Sequence, residues 1–238
     1  METRFTRTEM LMGPENVRKL HSFRVAVFGL GGVGGPCAES LARVGIGALD
    51  LIDHDTVSLS NINRQIIATQ DSVGKLKTDV MEQRIHSIGP EIIVEKYPVF
   101  YLPENRDSFP FEKWDYIVDA IDTVTAKLDL IMEAQKRGIP VISSMGTGNR
   151  LDPSKLICTD LFKTSGDPLA KVMRKECKKR GIDTLKVVTS TEEPVKPLDL
   201  VPQEEKGARR SIPSSSPFVP PAAGYLIASV VVRDLLSR

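Results

Sequence analysis

From residue 24 to 144 the chain alternates short apolar runs with longer segments whose apolar positions recur every three or four residues. Arg24 to Phe28 (RVAVF) is a β-branched run followed at once by glycines, the pattern of a strand buried on both faces. Val33 to Val44 reads as a helix ended by Gly45, and Ala48 to Ile52 as a second strand. Lys75 to Ser87 reads as a helix stopped by Gly89-Pro90, with strands at Glu91 to Tyr97 and Asp115 to Ala120. Val124 to Arg137 reads as a helix capped by Gly138, and Pro140 to Ser144 as a fifth strand. This alternation predicts an α/β fold, a Rossmann-like doubly wound sheet, mainly parallel, with right-handed crossovers.

The pattern changes beyond residue 150. Leu156 to Leu161 and Leu185 to Val188 read as two additional strands. Between them Asp167-Pro168 is a helix start, an acidic cap followed by proline in the first turn. That helix runs to Arg180, with Leu169, Val172, Met173 and Cys177 on one face and basic residues over the rest. Pro194 to Pro221 holds seven of the 16 prolines and the run Ser214 to Ser216, and reads as a long functional loop. Ala222 to Leu236 reads as a last apolar helix returning to the sheet.

Composition narrows the classes. With 41% hydrophobic and 26% charged residues the chain is globular, and a net charge of +1 excludes a protein that coats polyanions. Three cysteines without a CxxC argue against a disulfide framework or a structural zinc site. The start METRFTRTEM has no apolar run behind its basic residues, and no window approaches 18 apolar residues. The expectation is a cytoplasmic protein without a membrane span.

The loop Gly29-Leu30-Gly31-Gly32-Val33-Gly34 joins the first strand to the first helix. Glycines there permit a tight turn and close approach of backbone N–H groups to phosphate at a helix N-terminus. Asp53 ends the second strand, where an acid holds a ribose hydroxyl. Alone these features indicate a nucleotide site, and a dinucleotide would serve as well as ATP. Downstream, however, come Asp55, Ser60-Asn61-Ile62-Asn63-Arg64-Gln65, Lys77 and Asp119-Ala120-Ile121-Asp122. An arginine, a lysine and an acid converging on one glycine loop suit a triphosphate, because cations stabilise departing pyrophosphate and a carboxylate can hold Mg²⁺.

At these residues the chain resembles the adenylating enzymes related to ubiquitin-activating enzyme, over residues 4 to about 145. The resemblance implies a nucleotide site formed by Gly29, Gly31, Gly32, Gly34, Asp53, Asp55, Asn61, Arg64, Gln65, Lys77 and Asp122. It implies catalytic roles for Arg64, Lys77 and Asp122, with Asp122 holding Mg²⁺. It also implies a homodimer in which Arg7, the second arginine of Arg4-Phe5-Thr6-Arg7, reaches into the neighbouring subunit's site.

Activators of sulfur-carrier proteins, the rival branch, carry paired CxxC motifs that are missing here. Met145-Gly146-Thr147-Gly148-Asn149-Arg150, Asp152-Pro153, Lys163-Thr164, Asp167-Pro168-Leu169 and Pro217-Phe218-Val219-Pro220-Pro221 instead resemble the tRNA threonylcarbamoyladenosine dehydratases. That branch implies ATP-dependent loss of water from threonylcarbamoyladenosine at position 37 of tRNA through an acyl-adenylate. It also links the Met145–Arg150 turn with a monovalent cation. Ring closure on an acyl-adenylate is intramolecular and needs no protein thiol. Cys37, Cys158 and Cys177 are accordingly read as packed side chains, and His54 as a loop residue near the nucleotide rather than a metal ligand.

With this resemblance the chain reads as a single adenylating domain. Residues 1–23 form an N-terminal helical segment toward the dimer partner and 24–150 a nucleotide-binding core. Residues 151–193 form a substrate-side extension, 194–221 a loop and 222–238 a terminal helix. Arg150, Lys163, Lys171, Arg174, Lys175 and Lys178, with Lys155, Arg209 and Arg210, are the candidate contacts to the tRNA backbone. DNA is not expected as a partner.

Overall fold

A computed structural model describes residues 2–198 and 213–237. Two short helices, α1 (Thr6–Met12) and α2 (Pro14–Leu20), precede β1 (Arg24–Phe28), α3 (Gly34–Val44) and β2 (Ala48–Ile52). Then come α4 (Lys77–Ile88), β3 (Ile93–Tyr97), β4 (Tyr116–Asp119), α5 (Val124–Lys136) and β5 (Val141–Ser144). The chain continues through β6 (Leu156–Asp160), α6 (Pro168–Lys179), β7 (Lys186–Ser190) and α7 (Val219–Leu236).

The strands form one seven-stranded sheet in the order β3-β2-β1-β4-β5-β7-β6. All neighbours are parallel except β6, which runs antiparallel to β7 along the edge. Alternate residues of each strand feed opposite faces. Val25 and Val27 of β1 join α3, α4 and α7 in one core, whereas Ala26 and Phe28 join Tyr101, Phe109, Phe111, Trp114 and α5 in a second. A third core lies between α5, α6 and β7, from Leu128 through Met173 and Cys177 to Val187. The chain leaves β1 toward β2 and later returns beside β1 with β4, so the strand order reverses between them. In an open α/β sheet, ligands bind outside the carboxyl ends of the strands at such a point.

Four expectations need correction. The helix expected from Lys75 begins at Lys77, because Leu76 pairs with Thr56 in a β-bridge and Lys77 N–H donates to Asp55 O at 3.0 Å. The last helix begins at Val219 rather than Ala222: Pro220 and Pro221 sit in its first turn, where no intrahelical N–H is required. Val172, expected on the apolar face of α6, is 45% exposed, and Ala170 is buried with Met173 and Cys177 instead. Cys158, expected as a packed thiol, is exposed on the edge strand, whereas Cys37 and Cys177 are buried.

By length and composition α7 could cross a membrane, with a mean hydropathy of 1.4. Its apolar surface is instead spent on α3 and the sheet, and Val219, Ala223, Ile227, Val231 and Leu235 are wholly buried.

Candidate active site

The carboxyl ends of β1, β2 and β4 open into a cleft of about 540 Å³. Gly29, Gly31, Gly32, Asp53, Asp55, Asn61, Arg64, Gln65, Lys77 and Asp122 all line it. Gly34 does not; it starts α3 beneath the loop, where a Cβ would stand 1.7 Å from Gly29 O. Gly29 adopts a φ of 86°, and a Cβ there would meet Ala120 O at 2.6 Å. These two glycines let the loop close on its own backbone. Gly31 has no such reason: the nearest atom to an added Cβ is the Gln65 amide nitrogen at 3.7 Å. Its bare face is room left in the cleft for a ligand.

Three polar groups carry the electrostatics. Asp53 accepts N–H bonds from Leu30 (2.6 Å) and Asp55 (2.8 Å), which ties the second strand to the glycine loop. Lys77 Nζ, buried, lies 2.6 Å from Asp55 and 3.8 Å from Asp53. Arg64 is different. Among the described residues its guanidinium donates only to the neutral oxygens of Ser60 (3.0 Å) and Asn63 (2.8 Å), and burial pulls its pKa below the ordinary arginine value. A partly desolvated cation with no carboxylate partner among the described residues favours an anionic ligand. Beside it, the buried Gln65 side chain has an amide oxygen with no hydrogen-bond partner among the described residues. A buried polar atom left in this state costs free energy until something bonds it.

The rest of the cleft was only partly legible. Asn61 accepts from the Ser58 N–H at 3.1 Å, so its carbonyl holds the turn that delivers Arg64. Phe28, Ile52, Val99, Phe100 and Tyr101 give one end an apolar wall suited to a nucleobase. Phe100 and Tyr101 were missed because they follow β3 without any motif. His54 stacks edge-on against Phe100 at 4.5 Å, and its Nε2 is 3.2 Å from Asp55. Candidate metal-ligand atoms of Asp53, His54 and Asp55 lie within 4.8 Å of one another. Lys77 already supplies the positive charge between the two acids, and Asp122 is exposed at the rim of the cleft.

The arginines of the N-terminal motif separate. Arg4 is pinned to the Ile88 carbonyl and to Glu91, and lies over the Phe5 ring at 4.4 Å. Arg7 is exposed on α1 and is not among the residues lining the cleft of its own chain.

Of the candidate tRNA contacts, Lys163, Lys171, Lys175 and Lys178 are exposed, as is Lys155. Arg150 is a correction. It is 3% exposed and donates to Asp167 at 3.1 Å, to Glu192 O at 3.1 Å and to Gly146 O, so it clamps the Met145–Arg150 turn onto α6. Arg174 is half-buried and donates to Thr164 O at 2.9 Å, which places it in the support of α6 rather than on its free face. Arg209 and Arg210 lie outside the described residues.

The fold and this cleft define a nucleotide-binding α/β protein, and the chain belongs to the ThiF family, whose profile matches residues 5–233. It is 41% identical to the tRNA threonylcarbamoyladenosine dehydratase of Bacillus subtilis (strain 168), covering 98% of this chain and 94% of the relative. It is similar in structure to the E. coli tRNA N6-threonylcarbamoyladenosine dehydratase in complex with ATP, with a TM-score of 0.88 and 34% identity over 98% of this chain and 94% of that one. The complex of that E. coli enzyme with AMP matches equally, with a TM-score of 0.88 and 33% identity.

Proposed function

We propose that this chain is an ATP-dependent dehydratase that cyclises threonylcarbamoyladenosine at position 37 of tRNA. The observation that carries the reading is Arg64, a half-buried cation with no acid paired to it among the described residues, facing a glycine loop whose Gly31 leaves open space. Similarity over nearly the full length to dehydratases favours this substrate over a sulfur carrier.

In the reaction a carboxylate oxygen of the threonylcarbamoyl group attacks the α-phosphorus of ATP, and the bond to pyrophosphate breaks. The carbamoyl part then closes on the acyl carbon and AMP leaves, so the net change is loss of water. The residues act by position and charge. The loop N–H groups and the N-terminus of α3 favour the phosphates, and Asp53 binds the ribose. Arg64, Gln65 and Asn61 face the phosphate chain, where Arg64 neutralises charge that grows as pyrophosphate departs. Lys77, held by Asp55 before ATP enters, is poised to exchange that partner for phosphate. Asp122 would hold Mg²⁺, which when bound offsets the charge of the phosphates. The carbonyls of the Met145–Arg150 turn are the proposed holders of a monovalent cation.

Arg7 acts in the neighbouring subunit of a homodimer. Its exposure, beside Met10 and Leu11 at 82% exposed on the same short helix, supports a surface that a second copy covers. Lys163, Lys171, Lys175 and Lys178 contact the tRNA backbone without reading its bases. The protein works in the cytoplasm, where its substrate is, with no membrane and no DNA as partner.

The test is mass spectrometry of tRNA nucleosides after incubation of modified tRNA with protein and ATP. A water-sized mass loss from threonylcarbamoyladenosine is expected, and its absence under turnover conditions defeats the reading. Arg64→Ala and Lys77→Ala should each cut turnover by ~10²-fold or more with folding intact, as loss of one charged transition-state contact does.

A further inference from the structure

Arg64 is held by a side chain that does not itself line the cleft. Its guanidinium donates to the Asn63 amide oxygen at 2.8 Å and to Ser60 O at 3.0 Å. The Asn63 amide nitrogen donates in turn to Ser215 O at 3.1 Å, 152 residues further along the chain. A guanidinium offers only donors and a carbonyl only accepts, so these two partners fix which way the amide faces. Turning it over would set N–H against N–H on one side and oxygen against oxygen on the other. Asn63 is exposed and is not among the residues lining the cleft, whereas Arg64 and Ser215 both line it.

Ser215 sits in a segment that is itself tied down. The Ser214 N–H and hydroxyl donate to Asn149 Oδ1 at 2.7 and 2.9 Å, and the Asn149 N–H donates back to Ser214 O at 2.8 Å. The Ser216 hydroxyl donates to Arg150 O at 3.3 Å. Ser214–Ser216 is therefore seated on the Met145–Arg150 turn and also accepts the bond from Asn63.

We propose that Asn63 is a positioning residue for Arg64, and that the Ser214–Ser216 segment sets where Arg64 points through the Ser215 carbonyl. The proposal rests on the functional reading above for one point, that Arg64 faces the phosphates that depart. A long side chain loses rotamer freedom when it is held in one geometry. Two acceptors fix the guanidinium before the nucleotide arrives, and a donor oriented in advance is most effective where charge develops. The bond to Ser60 ties Arg64 only to its own turn. The bond to Asn63 ties it to a segment remote in sequence, so Arg64 takes its working geometry when Ser214–Ser216 is seated.

The test is calorimetric binding of two probes, a non-hydrolysable ATP analogue and AMP, with cyclisation of modified tRNA by the wild type measured separately. Asn63→Ala should raise the Kd of the ATP analogue by ~5-fold or more, as loss of a hydrogen bond to a charged group does, and leave that of AMP within ~2-fold. Added to Arg64→Ala, it should weaken the analogue by less than ~2-fold further, because it acts through that arginine. Asn63→Asp is isosteric but cannot donate to Ser215, and should not restore wild-type binding. Asn149→Gly accepts the φ of 60° found there while releasing Ser214. It should weaken the analogue in the wild type and add less than ~2-fold to Asn63→Ala. An Asn63→Ala protein with wild-type analogue binding, with AMP weakened equally, or with a full further loss on Arg64→Ala overturns the positioning role. Wild-type binding in Asn63→Asp overturns the need for the donor. An Asn149→Gly effect that is absent, or that persists unchanged on Asn63→Ala, overturns the route through Ser215. A wild-type protein that binds both probes and does not cyclise the tRNA sinks the functional reading, and the binding differences still decide the role of Asn63.

Discussion

Lys127 Nζ lies 2.9 Å from the Asp119 carboxylate, and both side chains are wholly buried. The same ammonium donates to Ile121 O at 2.9 Å, while Ile121 N–H and the Ser143 hydroxyl donate to Asp119 at 3.1 and 2.5 Å. One ion pair thus joins the ends of β4 and β5 to the start of α5, and the segment that follows β4, Ala120 to Asp122, lines the nucleotide cleft. Removing the cation strands a buried charge. Lys127→Met should therefore cost about 3–5 kcal/mol in urea unfolding. Asp119→Leu added to it should recover part of that loss. A single-variant cost under about 1 kcal/mol would remove the pair from this role.

The glycine loop separates structural from ligand-facing positions. Gly34→Ala places a Cβ 1.7 Å from Gly29 O and should lower the melting temperature steeply. Gly31→Ala meets nothing closer than 3.7 Å and should leave stability within about 0.5 kcal/mol. Its added methyl enters the cleft, so affinity for an ATP analogue should fall ~10-fold or more. Unchanged affinity would show that Gly31 does not face the nucleotide.

Arg7 is exposed on α1 and lies away from its own cleft. On the proposed shared-site dimer, Arg7→Ala and Arg64→Ala proteins should each be nearly inactive. Mixing the two should restore about a quarter to a half of wild-type turnover, because one of the two sites in each mixed dimer is intact. The fraction is set by random exchange of subunits in a symmetric dimer. No recovery after verified subunit exchange argues that Arg7 acts within its own chain.

The three thiols should differ in reactivity. At pH 8 a thiol reagent should modify Cys158 in the native protein and reach Cys37 and Cys177 only after unfolding. Burial pushes the Cys177 thiol up to about 11 from its ordinary 9.0. Its folded pKa is raised, so its contribution to stability is complete below about 9 and is lost as pH rises toward 11. Urea midpoints should fall across that window, and less steeply in Cys177→Val. An equal slope in the variant would assign the loss to other groups.

The order of strands and helices from 24 to 144 was readable because a parallel sheet needs continuous apolar strands and its crossovers need a helical repeat. The chemistry-bearing motifs were readable for a related reason: glycines, an arginine and acids at strand ends have few other uses in that arrangement. What the sequence could not decide is which charged side chains stay free. Arg64 and Arg150 look alike in the chain, yet among the described residues one has no acid partner and the other is buried against Asp167. Lys77 and Lys127 likewise differ in that one faces the cleft and the other is sealed under its wall. Local pattern determines the elements through backbone hydrogen bonding and apolar periodicity. The partner of a charge depends on groups tens of residues away, so only the packed structure decides whether it carries function or holds the frame.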